Sequence, residues 1–100
     1  MQIQIQTRKG SLSDAHKEKI AEKVGKLERF IDRVSSIDVM IEIEKEDAVT
    51  VEVSLVTDYK KDFRADYASG DLYGCVDQAV AKLEQQIKKF KEKQTDKHAG

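Results

Sequence analysis

Five cations in the first third of the chain, Lys19, Lys23, Lys26, Arg29 and Arg33, step by four, three, three and four residues. On a helix of 3.6 residues per turn this spacing sets them in one lane. Near the other end Lys82, Lys89 and Lys93 share a lane with Gln78, Gln85 and Gln86. Rows of ammonium, guanidinium and amide groups neutralise phosphates and bond to ribose and base edges, so the chemistry offered is non-covalent recognition of a polyanion. A third group, Tyr59, Lys60, Lys61, Phe63 and Arg64, mixes rings with cations as RNA-binding loops do, although a solvated hairpin rim has the same make-up. Tyr73, in the opening turn of the last helix, serves either as a stacking ring or as a cap on the core edge. Lysine-rich arcs are also what solvated helix faces look like, with pairs such as Glu84 and Lys88 adding roughly a few tenths of a kcal/mol. Segregation of charge on both helices favours binding.

Bond-making chemistry has little to work with. His16 and His98 stand without a third ligand at suitable spacing, and the only cysteine, Cys75, excludes both an intrachain disulfide and a cysteine metal cage. No nucleophile has a recognisable base partner, and no glycine loop follows a strand in a phosphate-cradling pattern. The expectation is a binding protein with no catalytic residue, metal, cofactor or small-molecule substrate.

Two kinds of periodicity must position the cations. Ile3 and Ile5 alternate with Gln2, Gln4 and Gln6, and Ser13 can cap a following helix whose first turn gains Asp14. Ile20, Val24, Leu27, Ile31 and Val34 form that helix's apolar stripe, which predicts helix to about Val34. Ile37, Val39, Ile41 and Ile43 alternate with Asp38, Met40, Glu42 and Glu44 in a second strand, which turns at Lys45-Glu46-Asp47. Val49, Val51, Val53 and Leu55 mark a third strand, antiparallel to the second, and Phe63, Ala65 and Tyr67 a shorter fourth, ending near Ser69-Gly70. Leu72, Val76, Ala79, Val80, Leu83, Ile87 and Phe90 then share one face of a last helix. The order β-α-β-β-β-α predicts an α+β two-layer sandwich, a four-stranded sheet with both helices on one face. The other sheet face, with Gln2, Gln4, Gln6, Asp38, Glu42, Glu44 and Glu52, should meet water and repel phosphate.

One hundred residues suffice for one domain, taken as 1–93, with a flexible tail at 94–100. With 37% charged residues the exterior is crowded with charge, yet 18 Lys and Arg against 19 Asp and Glu leave a net charge of −1. A uniformly basic binder is excluded; a protein with charge sorted by face is not. The start, MQIQIQT, alternates where a secretory signal is continuously apolar, and no run approaches the roughly 20 apolar residues of a membrane span. A soluble cytoplasmic protein that keeps off membranes is expected.

Three strings carry a resemblance: KLERFIDRV at 26–34, IEIEK at 41–45 and DLYGCVDQAVAKLEQQIKKFKEK at 71–93. They resemble the ribosome hibernation promoting factor and ribosome-associated inhibitor family, also called sigma-54 modulation proteins, in the right order over most of the chain. The resemblance implies the same β-α-β-β-β-α fold. It also implies binding to small-subunit ribosomal RNA in the channel for messenger and transfer RNA, with translation blocked while the ribosome is stored. Lys26, Arg29, Lys82 and Lys89 match the family's basic RNA-facing positions, and Lys93 joins them. Gln85 departs from the family's arginine: it hydrogen-bonds but brings no charge. With Lys23, Arg33 and Arg64 from the residue reading, these make the candidate RNA-binding set. Long members add a linker and a dimerisation domain that pairs two ribosomes; this chain is expected to be monomeric when off the ribosome. Two other readings stay open: a protein-interaction module using Glu42 and Glu52 on the acidic sheet face, and a ribosome-independent binder of double-stranded RNA.

Overall fold

The alternating segments pair into one mixed sheet. The computed structural model describes residues 2–45, 47–59 and 61–99, with side chains through Lys93. The expected tail at 94–100, with His98, lies outside the residues whose side chains are described, as do Glu46 and Lys60. Strand β1 is Gln2–Lys9, helix α1 Asp14–Gly25, β2 Val34–Lys45, β3 Ala48–Thr57, β4 Asp62–Ser69 and helix α2 Leu72–Ala99. The sheet order is β1-β2-β3-β4. β1 runs parallel to β2, with Gln2 opposite Ser36 and Gln6 opposite Met40, so α1 is the crossover that a parallel pair requires. The β2–β3 and β3–β4 pairs are antiparallel, Ile37 facing Leu55 and Val53 facing Ala65.

Alternation decides which residues form the core. Ile37, Val39 and Ile41, Val51, Val53 and Leu55, and Phe63 are buried on one sheet face beneath Ile20, Val24 and Leu27 and beneath Val76, Leu83 and Ile87 of α2. Both helices lie on that face, α1 against β1 and α2 against β3 and β4. The two-layer α+β sandwich is the one the periodicities predict. Between β1 and α1, Gly10 has φ +82°, and a Cβ there would stand 2.8 Å from that of Ile43, so the turn requires glycine.

The first helix is shorter than its apolar stripe predicts. Ser13 caps it as expected: its Oγ accepts from the His16 amide at 3.1 Å, while its own amide donates to His16 Nδ1 at 3.4 Å. After Gly25 the chain tightens into a 3-10 turn, Lys26–Arg29, with the Phe30 amide bonded to the Leu27 carbonyl. Arg33 then adopts a left-handed φ of 60°, pinned by the Asp58 amide donating to its carbonyl at 2.9 Å. Val34, expected on the helix, instead opens β2 opposite Thr57. The sheet ladder therefore takes residues that local periodicity assigns to the helix. Leu27, three residues after Val24, and Ile31, just beyond the turn, both remain buried, since a step of three keeps one face in a 3-10 turn as well as in an α-helix.

Candidate RNA-binding surface

The stripe of Val76, Leu83 and Ile87 seats α2 on the sheet and leaves two flanks, one toward β4 and one toward α1. On the β4 flank Lys82 Nζ donates to the Asp66 carbonyl at 2.8 Å and lies 5.3 Å from the Tyr67 ring centre. One turn on, Gln86 Nε2 donates to the Arg64 carbonyl at 2.8 Å. β4 is an edge strand, so these amide and ammonium groups satisfy carbonyls that would otherwise be left to water or to another chain. Lys89 and Lys93 continue the lane, both exposed. Lys61 approaches from the start of β4, its Nζ 5.4 Å from the ring centres of Phe63 and Phe90.

The α1 flank is built differently. Lys23 Nζ bridges to the Asp77 carboxylate at 2.8 Å, and the lysine side chain is only 19% exposed. Lys19 and Lys23 lie 4.8 and 5.7 Å from the Tyr73 ring centre, and the His16 ring meets the same tyrosine edge-on at 6.0 Å. Half-buried and covered on that side, Tyr73 seals the seam between the helices, which is the core-cap reading of that residue. Lys26 and Arg29 are exposed on the 3-10 turn.

The two cation lanes stand apart in the structure. They flank α2 on opposite sides, because Lys82 and Gln86 reach β4 whereas Asp77 reaches α1. By helical projection the exposed ridge between them carries Gln78, Ala81 and Gln85, with Lys88 and Glu92, of opposite charge, further along the helix. Two more candidates lie away from the lanes. Arg33 falls past the end of the helix, in the left-handed turn. Arg64 Nε donates to Ser54 Oγ at 3.3 Å on the open sheet face, opposite the helices, because it alternates with the buried Phe63 and Ala65. That face is also less acidic than expected: Arg8 pairs with Glu42 at 2.7 Å and Lys9 with Glu44 at 2.8 Å. The Lys9–Glu44 hydrogen bond raises the lysine pKa and lowers that of the carboxyl, so both carry charge at neutral pH.

One cluster goes beyond the sequence reading. Phe90, assigned there to the core stripe, lies between Tyr59 and Phe63, with ring centres 6.2 and 5.6 Å away. Burial, then the nearby Asp32 carboxylate, push the Tyr59 phenol above its usual pKa. The hint in the sequence was Tyr59 and Phe63 bracketing lysines; what it lacked was the meeting of that loop with α2.

Among the described residues no three His, Cys, Asp or Glu side chains stand close enough to hold a metal ion. Cys75 is buried, 3.0 Å from Ser69 Oγ. No described helix is long and apolar enough to cross a membrane.

Two helices on one face of a mixed four-stranded sheet, with cations along exposed helix flanks, define a small α+β two-layer sandwich. The sequence model of the family described as "Sigma 54 modulation protein / S30EA ribosomal protein" matches residues 3–95, and the chain belongs to that family. A ribosome hibernation promoting factor of Azotobacter vinelandii is 31% identical over 103 aligned residues, covering 100% of this chain and 92% of that protein. A ribosome hibernation promotion factor of Bacillus subtilis (strain 168) is 35% identical over 86 residues, 82% of this chain but 44% of the relative. Among solved structures, a ribosomal subunit interface protein from Coxiella burnetii superposes with a TM-score of 0.80 at 27% identity, covering 92% of this chain and 99% of that one. The N-terminal domain of Thermus thermophilus Protein Y gives 0.77 at 25% identity, over 90% and 99%. The family read from the three strings is the family found.

Proposed function

We propose that this protein is a cytoplasmic ribosome hibernation factor that binds small-subunit ribosomal RNA in the messenger and transfer RNA channel and blocks translation without making or breaking bonds. The observation that carries the reading is the β4 flank of α2. Lys82 and Gln86 are tethered to an edge strand, and Lys89 and Lys93 extend the row along one side of a rigid helix. Tethered stems lose less side-chain freedom on binding, and a straight row of ammonium groups tracks a phosphate backbone. Lys26 and Arg29 supply a second, separate contact. The names of the relatives support the ribosomal target, and the split lanes suit a groove walled by RNA on both sides better than a single flat duplex. An interaction module built on Glu42 and Glu52 is weaker, since Arg8 already compensates Glu42.

Co-sedimentation of the monomeric protein with small ribosomal subunits over a salt series tests this. Binding should fall with a log–log slope of roughly 0.7–0.9 per phosphate contacted. The double variant Lys82→Glu/Lys89→Glu should keep its circular dichroism spectrum and no longer co-sediment. Unchanged sedimentation of that variant sinks the reading.

A further inference from the structure

We infer that the end of the molecule formed by Tyr59, Phe63 and Phe90 is a stacking site for one unpaired base of single-stranded RNA, an inference that rests on the RNA-binding reading and extends it. Tyr59, at 41% exposure, is the large hydrophobic side chain that stands in solvent among the described residues. Its ring is not loose: Phe90 meets it edge-on at 75°, and Phe63 lies against Phe90 at 31°, so the exposed tyrosine is backed by two further rings. An aromatic surface ordered before binding loses little freedom when a base settles on it.

Charge around the rings selects the occupant. A groove of about 490 Å³ on one side is lined by Lys61, Lys89 and Lys93 with Phe63 and Phe90, and by Asp62 as its acid. A second groove, of about 440 Å³, runs past Tyr59 itself and is lined by Arg33 and Lys91, with Asp32 as its acid. Cations outnumber acids in the first groove, and the Arg33 guanidinium lies on the other side, so phosphate is drawn chiefly to the Lys61, Lys89 and Lys93 side of the rings. A flat π-face with cations on either side matches a strand whose base is splayed out while its backbone passes on. A paired duplex buries its base faces and offers none to Tyr59. The phenol, raised above its ordinary pKa, stays neutral at physiological pH and does not repel phosphate. The lane on α2 ends at this site, since Lys89 and Lys93 belong to both. A strand tracked by the lane is thereby delivered to the rings.

The test uses the whole chain and a single-stranded RNA decamer carrying 2-aminopurine, whose fluorescence is quenched when it stacks. Wild-type protein should quench it. Tyr59→Phe should keep the quenching, and Tyr59→Ala should lose it and weaken binding roughly 5- to 150-fold, the loss of one base–aromatic stack. The salt slope should not change, because no phosphate contact is removed; a structural role for Tyr59 would shift the unfolding midpoint instead. Equal quenching by wild type and Tyr59→Ala, or none by wild type, overturns the inference. Small-subunit co-sedimentation of the same proteins separates the two claims. Binding that ignores Tyr59 leaves the hibernation reading standing without the stacking site, whereas Tyr59-dependent quenching with no subunit binding removes the ribosome and keeps the site.

Discussion

The two flanks of α2 meet lysines at similar helical spacing, one from α1 and one of its own, and treat them in opposite ways. On the α1 side Lys23 faces a carboxylate, Asp77, so its charge is already compensated inside the fold. On the β4 side Lys82 faces a neutral carbonyl, which holds the ammonium in place without cancelling it. A cation anchored by a carbonyl stays available to phosphate as a charge, while one held by a carboxylate must first be released. Equal lysine content is therefore not equal capacity to bind RNA: the anchor decides.

The comparison is broken outright by unseating α2. Leu83 is fully buried in the stripe that holds the helix on the sheet, and Leu83→Ala should cost about 2–5 kcal/mol of stability, read as a lower urea midpoint. Both flanks should then lose subunit binding together at temperatures where the variant unfolds. Loss from one flank alone would mean that α2 is not their common support.

A smaller effect isolates the β4 anchor. Gln86→Ala removes the amide that meets the Arg64 carbonyl and leaves every charge in place. The expected cost is about 0.5–1.5 kcal/mol in urea unfolding, with a few-fold weaker subunit binding at an unchanged salt slope. A changed slope would show that Gln86 orders phosphate contacts instead of the helix flank.

The strands and the capped start of α1 were legible because each rests on near neighbours. Ile37, Val39 and Ile41 alternate whatever lies beyond them, and Ser13 needs only His16 three residues on. The end of α1 was not, since the apolar step from Val24 to Leu27 fits both helix types and the deciding bonds come from Thr57 and Asp58 across the sheet. The site divides in the same way. Helical spacing gives the angle of Lys23 or Lys82 around its axis but not its neighbour, and the neighbours lie 54 and 16 residues away. The placement of Arg64 was legible: alternation with Phe63 and Ala65 already sets it on the face away from the helices.

The smallest effect on stability gives the sharpest test of the anchor rule. Asp77→Asn keeps the shape of the side chain and removes the charge that compensates Lys23. Asp77 itself is 57% exposed, so the pair is worth at most about 1 kcal/mol and the unfolding curve should barely move. Lys23 then becomes an uncompensated cation beside the exposed Lys26. If the carboxylate was what silenced it, subunit binding should tighten and the salt slope should grow by roughly 0.7–0.9, one additional phosphate contact. Lys23→Gln added to that variant should return the slope to its starting value. A slope indifferent to Asp77 would mean that Lys23 faces no RNA in either state, and that the α1 flank near Tyr73 serves only to join the two helices.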